Sequence, residues 1–233
     1  MIELQTSNDL REITPTTRVG QVERAVLQGI LTGAIRPGAR LVEAVLAREL
    51  GVSQATVNQA LQDLHEQGVV NKSTNRGTTV LRFGLVELEA LFTVRASLEC
   101  IAAEAASRHV NGAAAALHNL RQSVEQMRTA SKARHLANFY LADYEFHQEL
   151  YRLSQNRFLV QACRAIASAP FAYILCDRPK PLPTDYSKIA QDHEDIIQAL
   201  LQGPEQAFQI THTKVGKWLK WQREFIADQS AAV

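Results

Sequence analysis

No run of about 18 consecutive apolar residues occurs anywhere in the 233-residue chain, so no membrane-spanning helix is expected. Cysteine is scarce. Cys100, Cys163 and Cys176 are odd in number and lack CxxC spacing, which speaks against a disulfide frame and for buried thiols in a reducing compartment. The opening MIELQTSNDLREI has neither the basic start nor the apolar stretch of a signal peptide, so a cytoplasmic address is expected. An excess of one charge is also missing: 25 Lys and Arg oppose 24 Asp and Glu, for a net charge of +1. The balance is even along the chain, with nine basic against eight acidic residues over 1–82 and sixteen against sixteen over 83–233. A nucleic-acid binder generally shows a basic half, so composition alone speaks against one. There is no HExxH, no nucleophile elbow and no phosphate loop, and no repeat or low-complexity tract. What remains is a 46% hydrophobic composition, enough to fill a core.

The patterning divides the chain in two. Residues 1–16 lack periodicity and form a flexible arm. From Thr17, Val19, Val22, Val26 and Ile30 recur at helical steps until Gly33, Pro37 and Gly38 end the helix. Within Arg40-LVEAVLARELGVSQATVNQALQDLHEQGVV-Asn71, a short helix near 42–50 buries Leu46, Ala47 and Leu50, and Gly51 makes the turn. Ser53 caps a second helix with the core face Val57, Leu61 and Leu64, and Gly68 ends it. Two β-like runs, 69–70 and 78–81, flank a turn-rich stretch. Helix, turn, helix, hairpin is the order of a winged helix-turn-helix, assigned to residues 17–82. Residues 83–233 read as an all-helical bundle with helices near 86–109, 112–130, 134–153, 157–169, 186–202 and 204–227. The three prolines of 177–183 mark a loop.

Away from its buried stripe the second motif helix presents Gln54, Ala55, Asn58, Gln59 and Gln62. Amides can pair with the N6 and N7 atoms of adenine, and Ala packs on a thymine methyl group. The helix N-terminus at Ser53 suits a phosphate, as do Arg40 and the wing turn with Arg76 and Gly77. A solvated polar face is the ordinary alternative; the hairpin directly downstream favours the DNA reading. The segment PGARL-x9-GVSQATVNQALQDLHEQGVV-x6-GTTV resembles the winged helix-turn-helix of the GntR family of regulators over about 65 residues. That family usually has arginines where Gln54 and Asn58 stand, and a proline at the position of Thr56. A preference for A·T-containing steps over the family's G-rich half-site is therefore expected, with weak non-specific affinity.

In the bundle, Asp143 and His147 lie four residues apart on the stripe of Phe139, Phe146 and Leu150, so both point one way from successive turns. His193 interrupts the stripe Ile189/Ile196/Ile197/Leu200, and His212 is aligned with Phe208, Val215 and Leu219. A hydrogen-bonded core residue is the usual role of any one such group. One carboxylate and three imidazoles facing inward together suit a divalent metal, Zn, Ni, Mn or Fe. Arg95 falls on the stripe Leu91/Leu98/Ala102. It serves either as a bidentate clamp for an effector carboxylate or as the i,i+4 partner of Glu99.

The runs VRASLE (94–99), DYEFH (143–147), SQN (154–156) and HEDIIQALLQG (193–203) resemble the FCD domain of FadR-like GntR regulators over roughly 86–227. The resemblance implies a divalent metal on Asp143, His147 and His193 and a small carboxylate effector, for which Arg95 and Asn156 are the candidate binding residues. The family's last histidine commonly falls about one turn after His212, near Val215, which makes His212 the least secure ligand. The expected function is a homodimeric, DNA-binding repressor with a double-stranded operator, no catalytic residues and no membrane partner. The alternatives are a metal-dependent hydrolase using the Asp/His cluster and an effector-independent architectural DNA binder.

Overall fold

Thr17 starts the first described helix: its hydroxyl oxygen accepts from the Gly20 amide at 3.1 Å, satisfying one of the unpaired N–H groups of a helix end. The computed structural model describes residues 17–73, 77–110, 117–166, 172, 175 and 185–230. Its N-terminal part runs α1 (Arg18–Leu31), β1 (Arg40–Leu41), α2 (Glu43–Leu50), α3 (Gln54–Glu66), β2 (Val70–Ser73) and β3 (Gly77–Val80). The helical part follows as α4 (Leu85–Val110), α5 (His118–Lys132), α6 (Leu136–Leu153), α7 (Arg157–Arg164), α8 (Tyr186–Leu200) and α9 (Pro204–Ser230). A winged helix-turn-helix thus precedes an all-α bundle. The arm over 1–16, Arg76, Cys176 and the proline-rich loop over 177–183 lie outside the described residues.

Gly51 has φ 65°, the left-handed conformation that lets α2 turn sharply into α3. The Ser53 side chain accepts from the Thr56 amide at 3.1 Å, and α3 buries Val57, Ala60, Leu61 and Leu64. Two details differ from expectation. Leu50 is 38% exposed, because Ala47 alone of α2 is fully covered and Leu46 is only partly so. The wing is a three-stranded antiparallel sheet in the order β1-β3-β2, with Arg40 opposite Thr79 and Val70 opposite Val80. Two residues of β1 are too few to show an alternating pattern, so nothing in the sequence marked them as a strand.

In the bundle α4 packs along α9, and α5 is covered by α6 and α8. Phe92 and Trp218 lock the first of these pairs edge to face at 4.6 Å. Cys100 and Cys163 are buried free thiols.

The two parts share a polar seam built on α6. Tyr144 donates from its hydroxyl to Gln67 Oε1 at 2.7 Å, and Gln67 Nε2 donates to Glu23 Oε2 at 3.3 Å. Arg24 of α1 pairs with Glu145, and Arg164 of α7 pairs with Glu66 of α3 at 3.2 Å. Burial pushes Glu23 up to about 7; the Gln67 bond opposes this and the charge of Asp63 adds to it. A carboxyl that holds its proton more tightly when folded stabilises the fold most at low pH. That contribution is present below about pH 4.5 and is lost as pH rises through about 7. The isostere Glu23→Gln does not titrate. Its melting temperature is therefore expected to fall less than that of the wild type between these pH values, and parallel curves would refute this account of the seam.

Candidate functional site

Three helices carry one cluster of ionisable side chains into the bundle. Asp143 and His147 project from α6, His193 from α8, and Arg95 and Glu99 from α4, and all five are buried. Asp143 Oδ1 lies 2.9 Å from His193 Nε2 and 3.6 Å from His147 Nε2, and the two imidazole Nε2 atoms are 3.2 Å apart. Among the described residues, Asp143, His147 and His193 are the one group whose ligand atoms converge in this way.

The hydrogen bonds fix which ring nitrogens carry lone pairs. His193 Nδ1 lies 2.7 Å from the Ile189 carbonyl, which can only accept, so Nδ1 holds a proton. At His147 the guanidinium of Arg95 approaches Nε2 at 2.6 Å; an arginine can only donate, so Nε2 is the acceptor. The other His147 nitrogen, Nδ1, stands 3.0 Å from Glu99 Oε1, off the hydrogen-bond axis. Each imidazole thus turns one nitrogen to a carbonyl or carboxylate and the other to the centre, as metal-ligating histidines do. Burial alone would raise the Asp143 carboxyl, but the neighbouring imidazoles of His147 and His193, the latter within hydrogen-bond distance, hold it far below the usual carboxylate range. Burial also lowers His147 and would lower His193, where the bond to Asp143 prevails and raises it.

A carboxylate and two inward-facing nitrogens need a cation among them. The Arg95 guanidinium at His147 Nε2 supplies part of that charge; a proton on His193, or a divalent ion taking the place of Arg95 at Nε2, would supply the rest. Ligands about 2.0–2.2 Å from one ion stand roughly 2.9–3.6 Å from each other at adjacent vertices. The measured 2.9, 3.2 and 3.6 Å match that spacing, so the residues present fit a metal.

Beside the cluster lies a cavity of about 90 Å³, walled by Arg95, Lys214, Phe139, Ile196, Val215 and Trp218 among others. Arg95 is the i,i+4 ion-pair partner of Glu99, and it also faces the cavity, 5.1 Å from the Trp218 ring. Glu99, seen in the sequence only as a helical partner of Arg95, also adjoins His147.

Two residues expected here are elsewhere. His212 is exposed and stacks on Phe208, because the inward face of α9 runs through Ala207, Thr211, Val215 and Gln222. Val215 occupies the cavity wall instead. Asn156 does not line the cavity; its Oδ1 caps α7 by accepting from the Phe158 and Leu159 amides.

At the other end, a groove of about 760 Å³ between α2, α3 and the wing collects Arg40, Gln54, Gln62 and Gly77. Ala55, Asn58 and Gln59 are exposed on α3. The same groove contains Glu43 and Lys72, which the sequence reading did not single out.

The sequence matches the profile described as "FCD domain" over residues 90–212 and that of "Bacterial regulatory proteins, gntR family" over 18–80. It is 28% identical over 204 residues to a "Probable D-xylose utilization operon transcriptional repressor" of Paenarthrobacter nicotinovorans, covering 87% of this chain and 88% of that protein. Against the "HTH-type transcriptional repressor RspR" of Escherichia coli K12, identity is 26% over 61% of this chain and 62% of the other. Among solved structures, Escherichia coli McbR/YncC aligns with a TM-score of 0.66 at 19% identity, over 92% of this chain and 99% of that one. A putative GntR regulator from Rhodococcus sp. RHA1 gives 0.64 at 23%, over 90% and 99%. At such identities these two structures speak for the fold alone.

The buried ion pair allows a direct check. Glu99→Gln strands the Arg95 guanidinium and should cost about 3–5 kcal/mol. Replacing both partners, Arg95→Met with Glu99→Leu, should cost less than the single change. Urea unfolding of the two variants measures this, and a double variant weaker than the single one would show that the contacts of Arg95 and Glu99 with His147 outweigh the stranded charge.

Proposed function

The chain belongs to the GntR family of bacterial regulators and carries the family's FCD domain, and from that premise we propose that it is an operator-binding repressor released or tightened by a small carboxylate held beside a divalent metal. DNA contact is assigned to a unit over 17–82, through Arg40, Ser53, Gln54, Ala55, Asn58, Gln59, Gln62 and Gly77, and effector contact to a unit over 83–233. Arg76 belongs to the same proposal from sequence alone. Asp143, His147 and His193 would hold the metal, which when bound supplies a Lewis-acidic partner for an anion. Arg95 orients a carboxylate by its planar fork. The small cavity favours a compact anion over a bulky one. The family is one of regulators, which sets the hydrolase alternative aside, and buried ionisable groups have no use in a purely architectural DNA binder. No described helix is long and apolar enough to cross a membrane.

The observation that carries this reading is the double duty of α6. Asp143 and His147 face the cavity, while the intervening Tyr144 and Glu145 hold Gln67 at the end of α3 and Arg24 on α1. A ligand that shifts α6 on its inner side therefore changes the footing of the DNA-reading helix, provided it binds the two placements with different affinity. Pairing with a second copy suits two half-sites about one helical turn apart. The exposed Val86, Val94 and Ile101 of α4 offer an apolar stripe for that contact.

Purified protein is expected to contain a divalent ion that His193→Ala removes; protein that never retains or takes up metal would leave Asp143 and His147 as core polar groups. A carboxylate that binds the folded state at about 100 times its Kd adds roughly 2.7 kcal/mol of stability, readable as a raised melting temperature. Tyr144→Phe deletes one seam hydrogen bond, a net contribution of about 0.5–1.5 kcal/mol. The ratio of operator affinities with and without carboxylate should then shrink roughly 2- to 12-fold, and an unchanged ratio would remove α6 from the coupling.

A further inference from the structure

We propose that Glu43 is a positioning residue for base reading, which fixes the amide of Asn58 so that it recognises adenine; this rests on the operator-binding reading above. Asn58 is exposed on α3, and its Nδ2 donates to Glu43 Oε1 at 2.8 Å. Lys72 of the wing stands 3.9 Å from the same carboxylate oxygen and donates to the Asn58 main-chain carbonyl at 3.4 Å. One cross-link thus joins α2, α3 and β2 on the face that the groove opens.

The chemistry of the partners settles the orientation. A carboxylate only accepts, so the NH2 end of the amide must face Glu43, and Oδ1 must point away. One of the two N–H donors is consumed, leaving one donor and one acceptor for DNA. In the major groove adenine offers one of each, the N6 amine and N7, whereas guanine offers the two acceptors N7 and O6. An amide free to rotate can turn both N–H groups to guanine; a pinned one cannot. Gln59 is engaged in the same way, its Nε2 donating to Asp63 at 3.0 Å. A carboxylate near DNA repels phosphate, and the Lys72 ammonium beside Glu43 offsets that charge.

The test uses the full chain and selection from randomised duplexes at low ionic strength. Asn58→Ala identifies the base pair at which preference disappears. The wild type should choose A·T at that pair, with roughly 5- to 150-fold discrimination against G·C, the range of a good bidentate contact. Glu43→Gln can offer Asn58 either end of an amide, so discrimination should collapse at that pair alone, with preferences elsewhere and the melting temperature retained. A Glu43–Asn58 bond that merely ties α2 to α3 would change the melting temperature and leave base preference intact, which overturns the proposal. So does selection of G·C at that pair.

A second arm needs only wild-type protein and therefore decides even if Glu43→Gln fails to fold. Purine in place of adenine removes the N6 amine, and 7-deazaadenine removes N7; each should weaken binding. Equal affinity for adenine and both analogues overturns the assignment. Failure to bind any duplex is a different result, since it defeats operator binding itself and this inference with it.

Discussion

Asp143, His147 and His193 direct a negative charge and two nitrogens at one point inside a bundle, and such an arrangement is costly unless positive charge stands there. Everything around them answers that demand. Arg95 donates to His147, Glu99 balances Arg95, and the Ile189 carbonyl holds the His193 ring in one orientation. The network spans α4, α6 and α8, so it also sets how those helices sit. A core made only of apolar groups would be easier to pack and at least as stable. Retaining five ionisable groups therefore points to a ligand rather than to stability.

The position of this network on α6 gives it reach. Neighbouring residues on a helix point about 100° apart, so Asp143 and Tyr144 face different parts of the molecule although they are adjacent in sequence. Tyr144 grips Gln67, itself buried at the end of α3, while Glu145 grips Arg24. The contact is polar and contains the Glu23 carboxyl, which burial pushes up to about 7. The cavity and α3 are thus joined through α6 and a short polar contact, beside which Arg164 of α7 pairs with Glu66.

Much of this was visible in the residue pattern, and the failures share a cause. Asp143 and His147 at i,i+4 and His193 within Ile189/Ile196/Ile197 were legible because their neighbours are apolar and define each stripe without ambiguity. On α9 the most deeply buried positions include Thr211 and Gln222, which are polar, so the apolar residues Phe208 and Leu219 suggested a face rotated toward His212. Glu99 escaped notice as part of the site because an i,i+4 partner of Arg95 explained it already. The seam was illegible for a more basic reason: Glu23, Gln67 and Tyr144 are far apart in sequence, and no local periodicity records a contact between two units. Glu43 and Lys72 illustrate the same point within the head, where only the folded wing brings them to Asn58.

The even charge over residues 1–82 bears on DNA affinity as well. Affinity for DNA rises with the number of phosphates neutralised, yet Arg24 is engaged with Glu145 at the seam and Lys72 lies beside Glu43. A head with nine basic and eight acidic residues over 1–82 has little surplus to hold a random duplex. Weak non-specific binding, where it holds, would make each base contact a larger share of the total, so discrimination would depend on how firmly side chains such as Asn58 are oriented. Were two copies paired, as proposed, two weak engagements on one duplex would add their free energies while sharing one loss of translational freedom. In the proposed reading a small displacement of α3 by α6 would act on both heads at once. A cavity of about 90 Å³ would in this way govern occupancy of an operator far larger than itself.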